Sequence, residues 1–136
     1  MPHRNIWEPG GVVKTFTGVV TADELVSSID EIARNDRCRR IRWVINDFNG
    51  IEVLKEVNDS TLEQIAVIRF GTMYTNPNIM VLVLGTQSRV LALAAATKRK
   101  PLVGSNPTKV FATQPEARRW IEQQNFSWPP PSGFGK

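Results

Sequence analysis

Asp47, Asn49 and Gly50 close the segment IRWVINDFNG, and Thr86, Gln87, Ser88 and Arg89 follow a second apolar segment, NIMVLVLG. A carboxylate, amides and a guanidinium placed after strand-forming runs could recognise a ligand or a partner protein through directed hydrogen bonds and charge. If both runs are parallel strands, their carboxyl ends share one rim of the sheet, where ligands of open α/β sheets bind. Ser88 would also open a helix, whose first N–H groups favour anions. The same residues have a plainer use. Asp and Asn-Gly form turns, and serine caps helices. Asp47, Asn49, Gly50, Gln87, Ser88 and Arg89 are therefore the candidate ligand-binding or partner-binding residues, chosen by position.

Bond-breaking chemistry has little to work with. His3 is the only histidine and Cys38 the only cysteine. Arg37, Arg39 and Arg40 flank Cys38 and would favour its thiolate. A nucleophile also needs a positioned base, and Asp36 is the only one nearby in sequence. No metal-ligand spacing and no glycine-rich phosphate loop occurs. The expectation is a protein that is not an enzyme, with no catalytic residue, no metal and no cofactor.

The elements that must position these residues are legible. Thr21–Glu24, Ser60–Glu63 and Thr113–Glu116 each pair a hydroxyl with a glutamate at the spacing of a helix capping box. After Thr21, the apolar residues Ala22, Leu25, Val26, Ile29, Ile32 and Ala33 form one helical stripe. After Ser60 the stripe runs through Leu62, Ala66, Phe70 and Met73, widened by Ile65 and Val67, until Asn76-Pro77 stops it. RVLALAAATKRK is apolar nearly all round, and EARRWIEQQ buries Ala117, Trp120 and Ile121. Strands are expected over 12–20, 41–48, 78–85 and 108–113, with another around NIWEP. Along 12–20, Val12, Lys14, Phe16 and Gly18 alternate with Val13, Thr15, Thr17 and Val19, the pattern of a half-exposed strand. NIMVLVLG has the continuous apolar character of a strand covered on both faces.

The order β-β-α-β-α-β-α-β-α predicts a single α/β domain over 1–124. Its sheet of four to five strands is mostly parallel, with about four helices and the first strand antiparallel at an edge. Residues 125–136, NFSWPPPSGFGK, form a Pro/Gly-rich tail outside that core. With 136 residues, 41% of them hydrophobic, the chain can bury a core of its own. No apolar run reaches the ~18–20 residues of a membrane span, and the N-terminus lacks a signal-peptide pattern. With the lone cysteine, this points to the cytoplasm. The net charge is +4, gathered in RCRRIR (37–42) and KRK (98–100). Both clusters sit at expected helix ends, where cations offset the dipole. No nucleic-acid-binding motif accompanies them, which argues against a nucleic-acid partner.

GVVTADELVSSIDEI and VFATQPEARRWI, with the element order, resemble the SpoIIAA-like proteins, that is, the STAS-type fold and its SEC14-related neighbours. The residues that carry the resemblance are Gly18, Thr21, Glu24, Leu25, Asp47, Val110, Phe111, Ala117 and Trp120. The resemblance covers about residues 11–122 and implies a SpoIIAA/STAS-like fold. It also implies a regulatory module of the anti-sigma-factor-antagonist kind, whose protein partner is a regulatory kinase or an anti-sigma-like factor. In that group a phosphorylated hydroxyl at a helix start switches the contact by adding about −2 charge. Here Phe48 and Asn49 stand where the hydroxyls would be, and Ser60 is explained as a cap. The sequence departs from the switch at that point. The SEC14 side implies a second function, carriage of a small apolar or lipid-like ligand, which requires a cavity between the first helix and the sheet. An enzyme working on the carboxyl-edge loops ranks last. The apolar circumference of 89–97 adds the expectation of a homodimer.

Overall fold

The computed structural model describes residues 3–98 and 108–124. The strands are β1 (His3–Glu8), β2 (Gly11–Thr21), β3 (Trp43–Lys55), β4 (Met80–Leu84) and β5 (Thr108–Phe111). The helices are α1 (Ala22–Arg34), α2 (Asp59–Thr75), α3 (Ser88–Lys98) and α4 (Gln114–Gln123). One five-stranded sheet has the order β1-β2-β3-β4-β5. β1 is antiparallel to β2, and every other neighbouring pair is parallel. The KRK cluster's side chains and the Pro/Gly-rich tail lie outside the described residues.

The topology follows from one rule. Each parallel crossover moves one strand further in the same direction, and right-handed crossovers then place α1, α2 and α3 on one face of the sheet. α4 follows the last strand and covers the other face, where Ala117 and Trp120 pack with Val13, Trp43, Ile45, Leu82 and Leu84. Phe16, Val20, Phe48, Ile51 and Val83 face the three-helix side, meeting Leu25, Ile65, Val90 and Ala94. A third cluster, around Val12, Ile32, Cys38, Ile41, Val44 and Ile79, closes the amino-terminal end of that layer.

Two caps form as the sequence predicts. Thr21 Oγ1 accepts from the Glu24 N–H while Glu24 Oε1 accepts from the Thr21 N–H, and Thr113 and Glu116 repeat the exchange. α2 differs. Its cap is Asn58, paired with Thr61, so Ser60 already lies inside the first turn. The stripe of α2 is also rotated from the expected one. Leu62, Ile65 and Ala66 are buried, but Val67 is 62% and Phe70 40% exposed.

The largest departure is in β3. It runs to Lys55 where a turn was expected after Phe48. Thr15 pairs with Asp47 and Thr17 with Gly50, so β3 spends an extra residue there, a bulge. Asn49-Gly50 thus serves a bulge rather than a turn. Gly50 is needed at it: a Cβ there would come to 3.0 Å from the Phe16 carbonyl oxygen.

Candidate functional site

The carboxyl-edge candidates are brought together, and their polar atoms are largely occupied. Asp47 Oδ1 accepts from the Asn49 N–H at 3.0 Å, and Oδ2 accepts from Gln114 Nε2 at 3.2 Å. Asn49 Nδ2 donates to the Ala112 carbonyl, and Gln87 Nε2 donates to that of Ile51. These bonds tie the bulge of β3 to the start of α4 and to the loop before α3. Ser88 and Arg89 stand exposed at the first turn of α3. Asp47→Ala removes two hydrogen bonds and should lower stability by about 1–2 kcal/mol, read by urea denaturation. An unchanged midpoint would mean that the carboxylate holds nothing in place.

Cys38 lies in the core and His3 on the edge strand β1. Burial raises the pKa of the Cys38 thiol, the reverse of the lowering its arginine neighbours suggested. The physical reason is that Cys38 points into the core at 1% exposure while Arg39 and Arg40 are exposed. His3 belongs to β1, where Nε2 meets Glu31 Oε2 at 3.1 Å and the ring lies against Phe16. Among the described residues no cluster of His, Cys, Asp or Glu could hold a metal. No described helix is long and apolar enough to cross a membrane.

A different site emerges between the helices and the sheet. α2 lies along α1 and touches α3 only lightly, leaving a hollow of about 110 Å³ over the middle of the sheet. Its floor is Val44, Asn46 and Phe48 of β3 with Val81 and Val83 of β4. Phe48 is backed by Phe16, the two rings stacked with centroids 4.6 Å apart. Leu25, Ile29 and Ile32 of α1, Ile65 of α2, and Leu93 and Ala94 of α3 supply apolar walls. Thr72, Asn76, Thr97 and Thr108 add polar atoms. Three of these are committed: Thr72 to the Ile68 carbonyl, Thr97 to that of Leu93, and Asn76 to those of Cys38 and Ile41. The buried Thr108 hydroxyl has no hydrogen-bond partner among the described residues.

Two cations line this apolar space. Lys14 sits on β2 between Val12 and Phe16, on the face toward the helices, and is 2% exposed. Its Nζ donates to Ser28 Oγ at 3.2 Å and lies 5.7 Å from the Phe16 ring centroid. Burial brings its pKa down to about 7; the nearby Arg69 charge adds to the fall and Glu31 opposes it. Arg69 enters from α2, its pKa lowered by burial to about 10, and its Nη2 is buried with no hydrogen-bond partner among the described residues. Asn46, the register partner of Lys14, donates to the Leu82 carbonyl. No Asp or Glu lines the hollow among the described residues.

Sequence reasoning missed this pair. The signal for Lys14 was its place between Val12 and Phe16 on one face of a strand. For Arg69 it was the helical spacing from Ile65 and Leu62, which puts the arginine on the buried side.

The sequence matches no family model and no curated protein. Solved structures do resemble it. The anti-sigma factor antagonist SpoIIAA in its unphosphorylated form superposes with a TM-score of 0.59 at 14% identity, covering 90% of this chain and 99% of that one. The phosphorylated form of SpoIIAA, a Bacillus cell fate determinant, gives 0.56 at 12% identity, covering 88% and 98%. An uncharacterized DUF3478-family protein with a SpoIIAA-like fold, from Shewanella loihica PV-4, gives 0.50 at 10% identity, covering 88% and 91%. The architecture expected from the order of helices and strands is the one found: this chain has the SpoIIAA-like fold.

Proposed function

We propose that the chain is a non-enzymatic binding module and that the hollow under α1, α2 and α3 holds a small, largely apolar ligand. The observation that carries this reading is the hollow itself, about 110 Å³ of space among Ile29, Phe48, Ile65, Leu93 and Ala94. Protein interiors are ordinarily close-packed, with few voids larger than a water molecule. An engineered apolar cavity of ~150 Å³ binds benzene, so this one suits a short chain or small ring. A hollow in the layer between the first helix and the sheet supports the reading of a small-ligand carrier.

Hexanol is a suitable neutral probe. Added to the full chain, it should shift the methyl NMR signals of Ile29, Ile65 and Leu93, and Ala94→Leu, which fills the hollow, should abolish the response. If those methyls do not respond in the unsubstituted protein, the carrier reading fails.

The fold shared with an anti-sigma factor antagonist supports a second reading, recognition of a protein partner at the rim. Ser88 and Arg89 would be its contacts, with Asp47, Asn49, Gly50 and Gln87 fixing the loops around them. The missing hydroxyls at Phe48 and Asn49 leave that reading without a phosphate switch.

A further inference from the structure

We infer that the hollow is an anion receptor: the ligand carries a single carboxylate-like head group, bound between the Lys14 ammonium and the Arg69 guanidinium, with its apolar part along Ile29, Leu93 and Ala94. This rests on the hollow being a ligand site and adds the chemistry of what it takes.

Charge and unused donors both favour an anion. Lys14 and Arg69 come from different elements, β2 and α2, and line one apolar space in which no described residue supplies a carboxylate. An ammonium has three donors, and Lys14 uses one on Ser28. A guanidinium has five, and the buried Nη2 of Arg69 has no acceptor among the described residues. Buried cations are ordinarily paired, because an unpaired one costs several kcal/mol of desolvation. The acid that acts on Lys14 is Glu31 of α1, whose carboxylate is half exposed and already bonded by His3 and Asn5 of β1. It softens the field at Lys14 from the edge without entering the hollow. A bound carboxylate would accept from both cations, and the unpartnered Thr108 hydroxyl gives the same hollow another free donor. The volume of about 110 Å³ and the apolar walls suit a carboxylate carried on a short chain or ring.

The test compares three probes of equal length: hexanoate, hexanol and hexylamine. Binding is followed by calorimetry and by the Ile29 and Leu93 methyl signals at about pH 6, where Lys14 and the carboxylate are both charged. Hexanoate should bind at least roughly tenfold tighter than hexanol, the scale of a charge-assisted hydrogen bond, and hexylamine should not bind. Lys14→Met and Arg69→Met should each remove the preference for hexanoate while leaving hexanol bound. The second variant guards against a repacking effect of the first. Equal binding of hexanoate and hexanol, or a preference that survives both substitutions, would overturn the inference while leaving the carrier reading intact. Failure of every probe to move the methyl signals would overturn both.

Discussion

Lys14→Met should stabilise the free protein by about 3 kcal/mol below pH 7, an unusual outcome for a fully buried position. Lys14 is an ammonium at 2% exposure with one hydrogen bond, in a layer otherwise built from Val12, Phe16, Phe48 and Ile65. Methionine has similar length and flexibility and no charge to desolvate. Ser28 loses little, because its hydroxyl still donates to the Leu25 carbonyl at 2.7 Å. The gain must depend on pH. Lys14 titrates at about 7 when folded against an ordinary 10.5. Between those values the unfolded chain holds a proton that the folded chain has released, so stability of the unsubstituted protein rises with pH. Below about 7 both states are charged and the penalty is complete; above 10.5 neither is, and it vanishes. Urea denaturation across this range should show the advantage of Lys14→Met shrinking as pH rises. A destabilised variant, or an advantage independent of pH, would mean that the ammonium is not held in a dry site.

The second large effect concerns binding. Hexanoate should bind best between about pH 5 and 7, where the carboxylate and Lys14 are both charged, and lose up to roughly tenfold in affinity for each pH unit above 7, until the bound Lys14 itself deprotonates. The carboxylate favours the charged amine, so the proton that burial expelled is taken up again with the ligand. Other groups facing Lys14 set the background. Arg69 on α2 stays charged across this range, its own pKa being about 10. Glu31 on α1 pulls the Lys14 value upward, and His3 on β1 is hydrogen-bonded to Glu31. His3→Gln should therefore shift the profile slightly and leave its slope. Hexanol binding should show no such slope, and a parallel loss for both probes would point to a change in the hollow itself.

How far the sequence reveals this protein depends on which signal is read. Thr21 with Glu24 and Thr113 with Glu116 announce their helices because a capping box is local chemistry, complete within one turn. Ser60 misleads because Asn58, just upstream, caps equally well and the chain needs only one cap. Asn49-Gly50 reads as a turn because local propensity cannot distinguish a hairpin from a bulge. Pairing with β2 decides it, and that partner lies thirty or so residues upstream. Lys14 and Arg69 stayed hidden for a related reason. Periodicity arguments assign faces by apolar residues and place charges outside, so a cation on a buried face is counted as the solvent side. The fold was legible because it repeats local rules. The hollow was not, because it depends on how far α2 stands from α3.

The most direct measurement is the titration of the Lys14 side-chain amine by NMR in the full chain, with and without hexanoate. A receptor for a carboxylate predicts a free value near 7 that rises toward the ordinary 10.5 when the ligand is bound. A free value already at 10.5, or one that hexanoate leaves unmoved, would contradict the account.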